Sequence, residues 1–160
     1  MTKTNKNEIL IAGACIFREN AGKVQWLLVK EVDSDKWELA KTMVRKGESS
    51  VRAILRVMGE KGGMSTRVLE EAGRAGGVGI SGGKTLPQRV IYYLMIAKKM
   101  TGEAIGFSDH TWLDFSQVTR KVFSKREKVI MRDAKEEFKR WHKKRAARRK
   151  LKLLLEKKSS

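Results

Sequence analysis

The sequence has little cysteine and little histidine, and these shortages exclude two classes of protein. Only one of its 160 residues is cysteine and two are histidine. The lone Cys15 cannot form an internal disulfide, and no histidine and cysteine residues have the spacing of zinc ligands. A disulfide-stabilised scaffold and a zinc module are therefore both excluded.

The sequence also lacks a long hydrophobic run. No segment approaches the roughly 18 apolar residues of a membrane span, and residues 9–17 are too short and too early interrupted for the core of a signal peptide. We therefore expect no membrane span and a cytoplasmic location. A chain of 160 residues with 41% hydrophobic residues predicts one domain with an ordinary core.

Positive charge dominates the sequence. The chain has 36 Lys and Arg residues against 18 Asp and Glu residues, a net charge of +18. Residues 120–160 alone carry 18 basic and 5 acidic residues. An excess of this kind indicates a polyanionic partner, such as nucleic acid or a polyphosphorylated small molecule.

The pattern of the last quarter of the chain predicts one long helix. It has no glycine or proline, and its apolar residues Ile130, Ala134, Phe138 and Trp141 recur three or four positions apart. We predict a helix from about residue 125, with residues 1–140 forming the domain and residues 141–160 a basic helical extension. A solvated tail is the simple alternative. The candidate polyanion-binding residues are Lys143, Lys144, Arg145, Arg148, Arg149 and Lys150.

A leucine cluster near the end of the chain suggests a third role for the predicted helix. Leu151, Leu153, Leu154 and Leu155 follow the basic cluster directly. They could pack against a second copy of the chain, so a homo-oligomer is possible beside either binding or catalysis.

Strand-like segments dominate the rest of the sequence. Residues 9–17 and 24–29 flank a turn-forming Glu-Asn-Ala-Gly segment, which predicts a hairpin. Residues 89–97 predict a strong strand and residues 110–115 a last one. The glycine-rich residues 76–83 lack the spacing of a phosphate-binding P-loop, so a flexible hairpin is the better interpretation.

Two helices are predicted between these strands. Ser49 or Ser50 can cap a helix that ends near residues 59–63, and Ser65 can cap a shorter one that ends at Gly73. The order of the elements predicts an α/β (α+β) domain, a mixed sheet between helices.

The loop and first helix resemble the Nudix hydrolase signature, G-x5-E-x7-R-E-U-x-E-E-x-G-U, in which U is a bulky aliphatic residue. The matching segments are residues 37–41 and 46–49, then Ala53 and Arg56. The similarity extends over residues 9–140. It implies a Nudix-like mixed sheet, glutamates that bind Mg²⁺ or Mn²⁺, and hydrolysis of a diphosphate linkage by water.

The signature is incomplete in this chain. With Glu48 as its first glutamate, Arg56 matches the motif arginine, Val57 and Lys61 replace two glutamates, and Glu60 remains. A lysine ammonium repels a divalent cation, so this alignment alone predicts an inactive enzyme.

A second alignment recovers the missing carboxylates. Residues 68–73 resemble the second half of the signature, with Glu70 and Glu71 as its paired glutamates. An insertion of about ten residues would then divide the signature between two helices, and a break at residues 59–63 would let the two halves converge. The simple alternative is that Glu70 and Glu71 are exposed helix residues.

The resemblance leads to a set of site residues and a function. The predicted catalytic residues are Glu48, Arg56 and Glu70, and the metal ligands are Glu48, Glu60, Glu70 and Glu71. The candidate phosphate-binding residues are Lys41, Lys84 and Arg89. The predicted function is a metal-dependent pyrophosphohydrolase acting on a nucleoside diphosphate derivative, a dinucleoside polyphosphate or an RNA 5′ end. The alternative is a degenerate module of the same fold that binds RNA or an RNA–protein assembly.

Overall fold

The computed structural model describes residues 7–159, which form one mixed sheet with helices on both faces. Six strands and three helices are found in this range. In chain order they are β1 (Ile9–Asn20), β2 (Lys23–Lys30), β3 (Ala40–Met43), α1 (Ser50–Glu60), β4 (Met64–Ser81), β5 (Lys84–Met100), β6 (Asp109–Leu113), α2 (Phe115–Lys121) and α3 (Lys125–Ser159).

Strand β1 is the centre of the sheet. The strand order is β4-β5-β1-β2-β6, and β3 pairs with the first half of β1. The β1–β5 pair is parallel, and the other named pairs are antiparallel. The predicted hairpin is confirmed: its turn places Ala21 and Gly22 at φ 51° and 78°, the conformation that a two-residue hairpin turn requires.

The two faces of the sheet carry two separate cores. On one face, Ile54 and Met58 of α1 pack with Leu10, Ile91 and other alternate residues of β1 and β5. On the other face, α3 buries an apolar stripe against Phe17, Trp26 and Leu94. Because successive strand residues point to opposite faces, Tyr92 belongs to the α3 side and Tyr93 to the α1 side.

Helix α1 confirms the predicted first helix. Ser49 is its N-cap, and the Ser49 Oγ accepts a hydrogen bond from the backbone N–H of Arg52 at 3.1 Å. Just beyond its end, Gly63 has φ 60°, and a Cβ there would lie 2.6 Å from the carbonyl oxygen of Glu103. Only glycine fits at this position, where the chain passes close to the backbone of Glu103 between the end of α1 and the start of β4.

The predicted second helix at residues 65–73 is wrong, because these residues lie in strand β4. The strand pairs with β5 along nearly its whole length, with irregularities around Thr66, Glu70 and Gly73. Glycines further along β4 disfavour a helix, and pairing with the strong strand β5 outweighs the local capping signal.

Helix α3 confirms the predicted long C-terminal helix. Its 35 residues span about 52 Å, at about 1.5 Å per residue. The helix continues without a break across residues 140 and 141, and the proposed boundary there remains a prediction. No helix within residues 7–159 has the length and apolarity needed to cross a membrane.

Candidate functional site

Glu48, in the loop before α1, and Arg56, in the second half of α1, form a bidentate ion pair. The Nε of Arg56 donates to Glu48 Oε2 at 2.8 Å, and its Nη2 donates to Glu48 Oε1 at 3.0 Å. The Arg45 backbone N–H also donates to Glu48, at 3.1 Å. The hydrogen bonds from Arg56 are the main reason that the pKa of Glu48 falls to about 2.

Glu60 lies on the other side of the same guanidinium. Its Oε2 is 3.8 Å from Nη1 of Arg56, and its side chain is 60% exposed. Arg56 therefore joins the two glutamates that the first alignment retains. Both carboxylates pair with the same guanidinium, which neutralises part of the negative charge that would bind a metal ion.

The two substituted positions of the signature have other roles. Val57 is buried in the core on the α1 side of the sheet. The Nζ of Lys61 donates to Glu31 Oε2 at 2.7 Å and lies 4.9 Å from the centre of the Phe107 ring. These two residues stabilise the fold around α1 and supply no metal-binding oxygen.

Glu70 and Glu71 do not extend the site on α1. Glu70 lines a groove that β4 forms with α3, on the opposite face of the sheet from α1. Glu71 forms an ion pair with Arg74, at 2.9 Å from Nη2. Because the segment is a strand, neighbouring side chains diverge instead of meeting on one helix face.

The residues present do not form the expected metal site. Within residues 7–159, no group of three or more His, Cys, Asp and Glu side chains is placed to hold a metal ion. Mg²⁺ is bound in proteins through carboxylates, water and substrate phosphate oxygens. Of the predicted ligands, Glu48 and Glu60 both face Arg56, and Glu70 and Glu71 lie on β4.

The three candidate phosphate-binding residues have separate environments. Lys41 pairs with Glu127 at 2.7 Å and with Glu38 at 3.4 Å. Arg89 donates to Glu8 at 2.9 Å. Lys84 is exposed where β5 begins, beside the glycine-rich turn of the β4–β5 hairpin. The structure therefore does not bring these three side chains together.

A buried carboxylate that sequence reasoning missed lies on the α3 side. Glu127 is 3% exposed and accepts hydrogen bonds from the Leu39 backbone N–H, the Lys41 ammonium and the Tyr92 hydroxyl, at 3.0, 2.7 and 2.7 Å. Burial, and then the charge of Glu127, raise the pKa of Tyr92. A cleft of about 210 Å³ lies beside this network.

The sequence did contain a signal for this carboxylate. Glu127 precedes Ile130, Met131, Ala134 and Phe138 at helical spacing, so it falls on the apolar stripe of α3. A charged residue on such a stripe indicates a buried and paired group. Gly13 leaves room for the Tyr92 ring, because a Cβ at that position would lie 2.5 Å from the ring.

The basic cluster of α3 is exposed and largely unpaired. Arg145 is its exception, since its guanidinium donates to both Glu19 oxygens at 2.7 Å and lies 4.3 Å from the centre of the Trp141 ring. Within residues 7–159, the other five members form no ion pair: Lys143, Lys144, Arg148, Arg149 and Lys150. The hydrogen bonds from Arg145 are the main reason that the pKa of Glu19 is lowered, and the nearby charge of Arg149 contributes to a smaller extent. Beyond Arg145, every described side chain of α3 is exposed.

The leucines that follow are also exposed. Leu151, Leu153, Leu154 and Leu155 are 50–59% exposed. They lie on the part of α3 that extends away from the domain, so they contribute nothing to either core.

Comparisons with known proteins identify the fold. No family model matches the sequence, and no curated protein matches it. Solved structures do match. An Ap4A hydrolase of C. elegans is 20% identical, with a TM-score of 0.63, over 81% of this chain and 98% of that one.

Two further structures agree with the first. The NUDIX domain of Shewanella oneidensis NrtR, complexed with ADP ribose, is 18% identical with a TM-score of 0.61, over 84% of this chain and 90% of that one. A NUDIX hydrolase from Nitrosomonas europaea is 17% identical with a TM-score of 0.63, over 81% and 90%. The chain therefore has the Nudix fold, as the resemblance of its first helix and loop implied.

Proposed function

We propose that this chain is a Nudix-fold module that binds RNA through the basic cluster of α3, residues 143–150, and that it has lost metal-dependent catalysis. The observation that carries the proposal is the set of five exposed cations that form no ion pair within residues 7–159. Surface cations that form no ion pair can bind a polyanion without breaking an existing interaction.

The spacing of the cluster favours a polymer over a small phosphate compound. Eight helical residues extend about 12 Å and turn through about 800°. The cations therefore surround more than half of the helix instead of converging on one point. This arrangement suits contacts with successive backbone phosphates, which position a nucleic acid without reading its sequence.

The residues on α1 support the loss of catalysis. Val57 is buried, and Lys61 donates a hydrogen bond to Glu31. Two of the glutamates that the signature predicts are therefore replaced by side chains with structural roles. The remaining glutamates share Arg56. A cytoplasmic location, which the sequence predicts, agrees with an RNA partner.

A salt titration tests the binding function. The association constant of the full chain for a single-stranded uridine homopolymer should fall steeply with salt, by close to 0.7 powers of salt concentration for each phosphate neutralised. Fluorescence anisotropy at several salt concentrations measures this slope. An absence of binding at low salt, or a flat slope, would contradict the proposal.

A metal-dependent pyrophosphohydrolase is the second candidate function. One observation favours it: Glu48, Arg56 and Glu60 retain the signature positions and lie in contact. Mg²⁺ can be held by as few as one or two carboxylates together with substrate phosphates. The candidate substrates are nucleoside diphosphate derivatives, dinucleoside polyphosphates and RNA 5′ ends.

Hydrolysis of ADP-ribose and Ap4A with added Mg²⁺ or Mn²⁺ tests this second candidate. We expect no metal-dependent turnover by the unmodified chain, because Glu48 and Glu60 share Arg56, and Glu70 and Glu71 lie on β4 instead of joining them. If turnover is found, Glu60→Gln should abolish it while Glu71→Gln, which removes an equal charge from β4, leaves it unchanged. Loss of turnover in Glu71→Gln would instead support the divided signature.

A further inference from the structure

A groove of about 260 Å³ lies between β4 and the outer half of α3. Arg67 and Glu70 line it from the strand, and Arg140, Lys144 and Arg148 line it from the helix. Val68, Leu69, Glu137 and Trp141 also line it. Four cations therefore face two carboxylates in one concave surface.

Most of the positive charge in the groove is uncompensated. Arg140 forms an ion pair with Glu137 along the helix. The side chains of Arg67, Lys144 and Arg148 make no hydrogen bond or ion pair with any residue in the range 7–159. The groove thus holds three free cations, contributed by two elements that are far apart in sequence.

The Trp141 ring in this groove is already engaged. The Arg145 guanidinium lies over it at 4.3 Å, and the Phe17 and Phe138 rings are 5.4 and 6.1 Å from its centre. An incoming base would have to displace these contacts before it could stack. The groove therefore offers charge to a ligand and no free aromatic face.

We propose that this groove binds the phosphate backbone of a nucleic acid strand, with Arg67 as the contact supplied by the sheet. The inference rests on the proposed RNA-binding function and adds a site that the basic cluster alone does not contain. Arginine guanidinium groups pair with phosphate oxygens in a bidentate manner, and three of the four cations are arginines. Glu70 opposes the same ligand by repulsion.

Strand β4 offers matched pairs of variants for the test. Arg67 lies in the groove, whereas Arg74 lies outside it and pairs with Glu71. Arg67→Gln and Arg74→Gln remove the same charge from the same strand. Binding of the full chain to a uridine homopolymer should lose about 0.7 units of log–log salt slope in Arg67→Gln and keep its slope in Arg74→Gln.

The neighbouring glutamates supply the opposite change. Glu70→Gln should strengthen binding severalfold at low salt, because it removes a negative charge from the groove. Glu71→Gln removes an equal charge beside Arg74 and should leave binding close to that of the unmodified chain. All four side chains are on the surface, and thermal unfolding should confirm that each variant is folded.

The outcomes separate this inference from the function on which it rests. If the full chain binds with a steep salt slope but Arg67→Gln behaves like Arg74→Gln, the groove assignment is wrong and the role of α3 stands. If the full chain does not bind, both are wrong. Competition by poly-glutamate as effective as that of the homopolymer at equal charge would also overturn phosphate recognition.

Discussion

Ending the chain at Trp141 should lower its affinity for RNA by orders of magnitude and flatten the salt dependence. This truncation removes all six members of the basic cluster, residues 143–150, while it keeps the stripe of α3 that packs on the sheet. If each cation neutralises one phosphate, the log–log slope should decrease by about four for a single strand. Anisotropy titrations of both chains at several salt concentrations measure the change.

A second truncation provides the control. A chain that ends at Lys150 retains the basic cluster and loses the leucine segment together with three lysines and one glutamate. It should keep most of the salt slope. If the leucines instead form an oligomer interface, both truncations should lower the sedimentation mass and neither should change the slope. A halved mass with an unchanged slope would make the RNA-binding proposal wrong.

Replacing Glu127 by alanine should reduce the free energy of unfolding by about 3–5 kcal/mol, the usual effect of removing one partner from a buried ion pair. The change leaves the Leu39 N–H, the Lys41 ammonium and the Tyr92 hydroxyl without their shared acceptor. Urea unfolding monitored by tryptophan fluorescence measures the loss.

The matched variant for Glu127→Ala is Tyr92→Phe. It removes one hydroxyl donor, keeps the ring that packs against Gly13, and should reduce stability by about 1.5–3 kcal/mol, the net value of a hydrogen bond to a charged group. If Glu127→Ala is no more destabilising than Tyr92→Phe, the carboxylate does not organise this part of the core.

The elements predicted correctly are those whose local signals agree with their environment. Ser49 has a side-chain oxygen that accepts a backbone hydrogen bond at a helix start, and α3 repeats apolar residues at helical spacing without a glycine or proline. Residues 65–73 are predicted wrongly because their local signals disagree with their environment. Their cap-like Ser65 and closing Gly73 predict a helix, but ladder pairing with β5 decides the structure, and that partner is distant in sequence.

The site was harder to predict than the fold. Alignment to a signature selected Glu48 and Arg56 as site residues, and the structure shows them in contact, across one loop and one helix. The groove depends on Arg67 and Arg148, which two different elements bring together. No spacing rule connects residues on a strand and a later helix, so only the packing of α3 on the sheet reveals their proximity.

The parallel pairing of β1 and β5 has a consequence for the order of folding. Ile9 pairs with Gln88 and Phe17 with Ile96, so partners are 79 positions apart, whereas the β4–β5 hairpin closes between Ser81 and Lys84. The entropy of closing a long loop must be overcome before distant contacts contribute. The two hairpins should therefore form early and independently, and their lateral association through β1 should limit the folding rate.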